Sequence, residues 1–495
     1  MITAILSFTT YIMPSKLSAV VLLASLVSSA LSAPSQYDFS KIESNKIIKK
    51  DVLIVGGGSS GIHAAISLKD RKYSIMVVES KNRLGGHTET VEDEASGRKA
   101  EAGVLIFHNQ PEVLRYFARF NIPLANQSVG GIANPLPFDY RTGQAIPVEA
   151  VKAGTPSPQA VGLAYQKLAG FLAQWPQMDQ GLFLPDPVPD VLLQPMSGLI
   201  KQLGLEALVP SAYGLSQNIG DFLNTPVVEV VRVLSLSIIK QAVQQSFLTT
   251  AKGDNSELYL KATAELHDAK SLLLSSKVVY TKRQQNSVQV VVETPEGLKY
   301  ICAKKVLMTV PPRPEALQAF DLRQNEKEVF NKLLATGYFT ALLNNTGFPL
   351  GFSTTNVSPE KPFGLPELPT GYVFRATPIP GVLGVYYASG ASRSAYAFSD
   401  DQVKGEIISI IKKLQAANPK IFNQTEPNFV YSSNHSPYAI QARPEDIKAG
   451  IYKKMYALQG QGNFFWTGGA FRAQDSSALW DFNKNIVLPA LMKTL

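Results

Sequence analysis

Between residues 51 and 79 the apolar positions obey two rules in turn. Asp51-Val-Leu-Ile-Val55 is a short apolar run that stops at glycine, the pattern of a strand buried on both faces of a parallel sheet. Gly61–Asp70 then spaces its apolar members like a helix, and Ser74–Glu79 is a second apolar run. Strand, helix and strand in about thirty residues predict a βαβ unit. From Ala150 to Leu274 the pattern is mostly helical, with segments at Gln159–Gln174, Val227–Thr250 and Glu257–Leu274. The period then shortens. Lys277–Lys282, Ser287–Thr294 and Lys304–Val310 read as strands, with a Pro-Glu-Gly turn at 295–297.

Tyr338–Asn344, Gly371–Ala376 and Gly384–Ser389 predict a further antiparallel set. Asp400–Ala417 is an amphipathic helix with Val403, Ile407, Ile410, Ile411 and Leu414 on one face. Phe464–Thr467 is a last strand, running into a glycine pair and a terminal helix from about Ser477. The Pro-rich stretches Leu184–Pro195 and Ser353–Thr370 read as surface. Such alternation predicts an α/β protein whose nucleotide-binding domain uses residues 46–145, 265–315 and 446–495. A second, α+β domain would be built from the insertions 146–264 and 316–445.

Gly56-Gly57-Gly58-Ser59-Ser60-Gly61 lies between the first strand and the helix, a GxGxxG in the position where it binds a dinucleotide. Gly56 permits the tight turn, Gly58 lets the backbone approach a pyrophosphate, and Gly61 lets helix and strand close together. The helix N-terminus, with Ser60 in its first turn, offers N–H groups to the phosphates. Glu79 ends the second strand eighteen residues beyond Gly61, where a carboxylate accepts ribose hydroxyls.

After Glu79 the chain reads Arg83-Leu-Gly-Gly-His-Thr-Glu-Thr90. Here it resembles the flavin-containing amine oxidase superfamily, and is closest to a fungal branch that includes β-cyclopiazonate dehydrogenase. The resemblance implies FAD as cofactor, on a Rossmann-type FAD-binding domain interleaved with an α+β substrate domain. It implies that Arg83, Gly85, Gly86 and His87 follow the diphosphate toward the flavin, and that Val278, in Lys277-Val-Val-Tyr280, touches adenine. Val306-Leu-Met-Thr-Val-Pro-Pro312 is similar to the strand and Pro-Pro turn that close the middle of the FAD domain. Phe464-Phe-Trp-Thr-Gly-Gly469 is similar to the late strand that returns to the ribityl chain, which places Gly468 and Gly469 at the cofactor. These matches run from residue 51 to 490.

Two departures limit what transfers. Relatives commonly end the late strand with Gly and an acid, whereas this chain has Gly468-Gly469. Amine oxidases often carry a lysine near flavin N5 on the strand after the Pro-Pro turn, and Tyr338–Asn344 contains none. Proton removal is therefore expected to fall to His87, to His108 in Val104-Leu-Ile-Phe-His-Asn109, or to no side-chain base at all. His63, early in the first helix, reads as structural, and His435, inside Asn434-His-Ser436, reads as exposed. Tyr372, Phe374, Tyr386, Tyr387, Trp466, Phe471 and Trp480 are aromatic candidates for the substrate surface. No cluster has metal-ligand spacing, so no metal is expected. No Gly-x-Ser-x-Gly elbow occurs.

Charge adds one exclusion. The net charge is +8, but 47 basic residues are dispersed among 39 acidic ones without a Lys/Arg block, so a nucleic-acid partner is not expected. Lys16 precedes an uncharged run from Leu17 to Ala33 with small residues at its end, so residues 1–33 read as a secretory signal peptide. The run is shorter than the ~20 residues a spanning helix needs, so stable membrane insertion is not expected. Five N-x-S/T sequons, at Asn126, Asn344, Asn356, Asn423 and Asn434, agree with export, and Cys302 is the only cysteine. The sequence thus predicts a secreted FAD-dependent dehydrogenase or oxidase of a small metabolite. With a single GxGxxG in the chain, dioxygen is the expected electron acceptor. A redox-neutral flavin isomerase or cyclase, and a flavin-binding protein without turnover, remain as alternatives.

Overall fold

The computed structural model describes residues 37–127, 135–216, 219–393 and 398–495, so the signal segment and its cleavage site lie outside the described residues. Among these residues, seven strands form the first sheet, in the order Leu272–Leu273, Ile75–Val78, Ile47–Val55, Gly297–Met308, Val288–Thr294, Lys277–Arg283. Phe464–Trp466 adds in parallel to the end of Gly297–Met308. Ile47–Val55 is parallel to both neighbours, pairing Val52–Val55 with Ile75–Val78 on one side and with Lys305–Met308 on the other. Val52, Leu53 and Ile54 are fully buried, as the unbroken apolar run requires. The helix Ser59–Asp70 follows with His63, Ile62 and Ile66 in the core.

Strand 297–308 is longer than its apolar half. It starts directly after the turn, pairs antiparallel with Val288–Thr294, and only at Val306 becomes buried on both faces. Two helices are shorter than their spacing suggests. Val227–Val231 stops where the buried Arg232 guanidinium is held by Glu229 and by the carbonyls of Ile440, Gly469 and Ala470. Ser235 caps a new helix, Leu236–Gln244, and Leu248–Thr250 is a strand pairing with Leu124–Asn126. Glu257–Asp268 ends because Leu272–Leu273 joins the first sheet beside Val77–Val78.

The second sheet runs Asn428–Asn434, Tyr338–Asn344, Leu383–Ala388, Thr370–Ala376, Thr354–Asn356, Leu136–Phe138. Thr354–Asn356 corrects the surface reading of residues 353–370, because Thr354 and Asn356 are buried in this sheet. Leu136–Phe138, inside the 46–145 segment, also pairs here. The two faces of the sheet differ. Phe339, Ala341, Leu343, Phe374, Val385 and Tyr387 pack against the helix Asp400–Ala417 through Val403, Ile407, Ile411 and Leu414. The opposite face carries Tyr338, Tyr372, Tyr386 and Ala388. That face is turned toward the segment after the second glycine pair, through Ser433 and His435 on Glu89.

Candidate active site

Three glycines of the first loop serve three different needs. A side chain on Gly56, whose φ is +106°, would collide with Thr309 Oγ1, and one on Gly61 would collide with the Gly56 carbonyl. Both let strand, loop and helix close on one another. Gly58 is different. Its φ of −75° and ψ of −178° suit any residue, and an added Cβ would meet only Gly86 Cα, at 3.8 Å. The missing side chain leaves open space. Gly58 also starts the helix Ser59–Asp70 with no side-chain cap and no acid in the first turn, so its leading N–H groups lack a local carboxylate.

Glu79 ties this loop to the second strand. Its Oε2 accepts from the Gly57 N–H at 2.6 Å, and its Oε1 accepts from the Lys81 N–H at 2.7 Å and the Ser80 hydroxyl at 3.2 Å. The residue is only 8% exposed. The Ser276 N–H bonds the Glu79 carbonyl at 2.9 Å, which brings the half-buried Val278 close by.

The second glycine pair packs directly on the first loop. The Gly85 N–H donates to the Gly57 carbonyl at 2.9 Å, and a Cβ on Gly86 would approach Gly58 Cα to 2.9 Å. The Tyr259 ring closes the other side, 3.2 Å from a Cβ placed on Gly85. Arg83 fixes the turn by donating to the carbonyls of Gly86 and Thr88, each at 3.1 Å, and by pairing with Glu89.

Open space at Gly58, an uncapped helix end and a buried carboxylate at the next strand end together fit a diphosphate and a ribose. The Ser60 side chain faces elsewhere. Its hydroxyl shares a bond with Thr467 Oγ1 at 3.0 Å, and Asn483 of the π-turn Asn483–Val487 donates to the Ser60 carbonyl at 2.8 Å. Gly468 and Gly469 turn the chain after the last strand, where Thr309 and Gln474 occupy the space that side chains would need.

Beyond the second glycine pair the His87 ring stacks on His435, with centroids 4.3 Å apart and planes 20° apart, and lies 5.4 Å from the Tyr438 ring. His435 is 3% exposed, which corrects its reading as a surface residue of a sequon. Its Nε2 is 3.0 Å from Glu89 Oε2. Burial opposes ionisation of Glu89, but His435, Arg83 and Lys81 outweigh it and hold the pKa at about 2. An ionised carboxylate only accepts, so His435 Nε2 carries the hydrogen. Burial, with the neighbouring His435 second, drives the His87 pKa well below 6.5, so its imidazole is neutral.

His108 sits in a separate environment. Among the described residues no bond or ring contact joins it to His87. Its Nε2 is 2.9 Å from Asp475 Oδ2, while Asp475 also caps the helix Ser476–Phe482. Burial opposes the imidazolium, but the Asp475 charge and hydrogen bond prevail and raise the His108 pKa. His108 lines a cavity of about 170 Å³ with Gln110, Ser237, Arg472 and Asp481. His63 bonds Glu112 at 2.8 Å inside the core, a structural use. Among the described residues no group of His, Cys, Asp and Glu is placed to hold a metal, and no helix is long and apolar enough to cross a membrane.

The pattern of the flavin-containing amine oxidoreductase family matches residues 59–473. The chain belongs to that family. This flavoenzyme is 39% identical to the FAD-dependent oxidoreductase oblC of Cochliobolus heterostrophus over 96% of its own length and 97% of the relative's. It is 29% identical to the β-cyclopiazonate dehydrogenase of Aspergillus oryzae, over 90% and 94% of the two chains. It is an FAD-dependent oxidoreductase, homologous to fungal secondary-metabolite enzymes. Among solved structures, a fatty acid isomerase from P. acnes superposes with a TM-score of 0.70 at 16% identity, covering 89% of this flavoenzyme and 98% of that chain. Putrescine oxidase superposes with a TM-score of 0.60 at 13% identity, covering 90% and 100%. These likenesses bear on the fold, a parallel Rossmann-like sheet beside a separate mixed sheet.

Glu89, His435, Tyr438 and Tyr259 stand at this site without having been singled out for it by sequence. Only Glu89 left a trace, inside the Arg83–Thr90 run.

Proposed function

We propose that this protein is a dehydrogenase or oxidase of a small, largely apolar metabolite, with dioxygen as electron acceptor. The observation that carries the reading is the meeting of the second sheet's tyrosine face with the second glycine pair, through His435 and Ser433 on Glu89. When bound, FAD supplies the hydride acceptor. The chain supplies the rest. Gly56 and Gly61 close the loop, and Gly58, the Ser60 backbone N–H, Glu79, Arg83, Gly85, Gly86 and Val278 hold the cofactor, with Gly468 and Gly469 at its ribityl end. Neutral His87 is a proton acceptor beside the His435 and Tyr438 rings, and His108, paired with Asp475, is a second, more basic candidate. We also propose that the protein is secreted, which the signal-like segment 1–33 and the exposed sequon residues Asn126, Asn344 and Asn423 support.

Oxygen uptake with candidate metabolites tests the reaction. Substrate oxidation with one dioxygen reduced to peroxide per turnover supports it. Conversion of a metabolite without oxygen uptake overturns it in favour of a redox-neutral isomerase.

A further inference from the structure

The tyrosine face holds more hydrogen-bond donors than it uses. Tyr338 and Tyr372 share one bond between their hydroxyls at 2.9 Å, so one of their two O–H groups is left to donate. Neither has a second side-chain partner among the described residues. Tyr213, on the helix Val209–Ser216 of the 146–264 insertion, is 8% exposed, and its hydroxyl has no partner among the described residues. It stands near enough to both other phenols to add to the cost of ionising them, after burial and closer neighbours. All three are therefore neutral donors. A buried hydroxyl without a partner is costly to the fold, and Tyr213 carries one while the Tyr338–Tyr372 pair keeps one O–H hydrogen to spare.

The rings give a second constraint. Tyr338, Tyr372 and Tyr386 stack within 14–19° of parallel, with centroids 6.1–6.5 Å apart. Tyr438 lies 4.7 Å from Tyr338 and 5.4 Å from His87, so the layer continues toward the glycine pair. A layer of parallel rings accommodates a flat, conjugated body. O–H hydrogens left over on it donate to an oxygen of that body.

We propose that Tyr338, Tyr372 and Tyr213 form a donor cluster that binds the carbonyl oxygen of a planar, conjugated substrate. The inference rests on the functional reading above and narrows its substrate to carbonyl-bearing compounds. The cluster is a specificity device, because a site built to pair an oxygen rejects the analogue that lacks one.

Calorimetric titration of the oxidised, flavin-loaded protein tests this without turnover, so its failure leaves the oxygen-uptake test intact. The probes are benzylideneacetone and the diene in which a methylene replaces its carbonyl oxygen. Wild type should bind the ketone at least about tenfold more tightly than the diene. Tyr338→Phe and Tyr213→Phe should each reduce that preference to about threefold or less while leaving diene affinity and flavin content unchanged. Tyr387→Phe, on the face packed against the helix Asp400–Ala417, should preserve it. Equal affinities in wild type, no measurable ketone binding, or a preference that survives both Phe variants overturns the proposal.

Discussion

Removing Glu79 should injure two things that can be measured apart. In the folded chain its carboxylate accepts from the N–H groups of Gly57 at 2.6 Å and Lys81 at 2.7 Å, with only 8% of the residue exposed. Hydrogen bonds to a charged group are worth about 1.5–3 kcal/mol each, so two set an upper bound of about 6 kcal/mol. Water entering the space left by Glu79→Ala recovers part of this, and about 2–3 kcal/mol of lost apoprotein stability is the expected size. The ribose contact adds a separate loss of about 2 kcal/mol in FAD affinity, close to thirtyfold. Glu79→Gln rescues little, because an amide nitrogen would face one of two N–H donors. Thermal unfolding of the apoprotein reads the first loss, and fluorescence titration with FAD reads the second. A lowered melting temperature with unchanged FAD affinity would refute the ribose assignment. Unchanged values in both would refute the reasoning about the loop.

The two histidines should leave different pH profiles, since only neutral imidazole accepts a proton. If His87 is the base, anaerobic flavin reduction in a stopped-flow instrument is flat above pH 6.5; if His108 is, the rate still rises above pH 6.5. The corresponding alanine variant should slow reduction at least about tenfold, or 1.4 kcal/mol of barrier, and wild-type rates in both variants would make the histidines structural. Burial pushes Glu101 up to about 8 from 4.5, so the folded chain keeps a proton that the unfolded chain releases, and stability falls as pH rises between those values. Glu101→Gln should flatten that decline in melting temperature from pH 5 to pH 8, and an unaltered slope counts against it. Secreted protein should carry N-glycans among Asn126, Asn344 and Asn423 and none on Asn356, whose amide donates to the Gly371 carbonyl at 2.9 Å; glycopeptide mapping that finds Asn356 occupied contradicts this.

The nucleotide half was legible because its signals are local and steric. Gly56 and Gly61 have no alternative where Thr309 Oγ1 and the Gly56 carbonyl would meet a side chain, and Val52–Val55 and Ile75–Glu79 are buried on both faces. What was not legible depends on partners distant in sequence. His435 reads as a surface residue beside Asn434, yet its place is set by Glu89, 346 positions away. The break after Val231 comes from Arg232 reaching carbonyls at 440, 469 and 470. Leu272–Leu273 continues a helical spacing and becomes a strand only because the edge of Ile75–Val78 is available. In the second sheet both faces are apolar or aromatic, so alternation located the strands without saying which face meets a ligand.

The central claim is that the cofactor's diphosphate lies against Gly58, and Gly58→Val tests it most directly. Valine suits the backbone there, and its Cβ would meet only Gly86 Cα, at 3.8 Å, so the fold should persist. Its methyl groups would fill the space reserved for the phosphates. The measurement is the visible flavin absorbance of the purified variant, alongside its far-ultraviolet circular dichroism. A folded, colourless protein is the predicted result; a variant that purifies with full flavin occupancy would contradict the account.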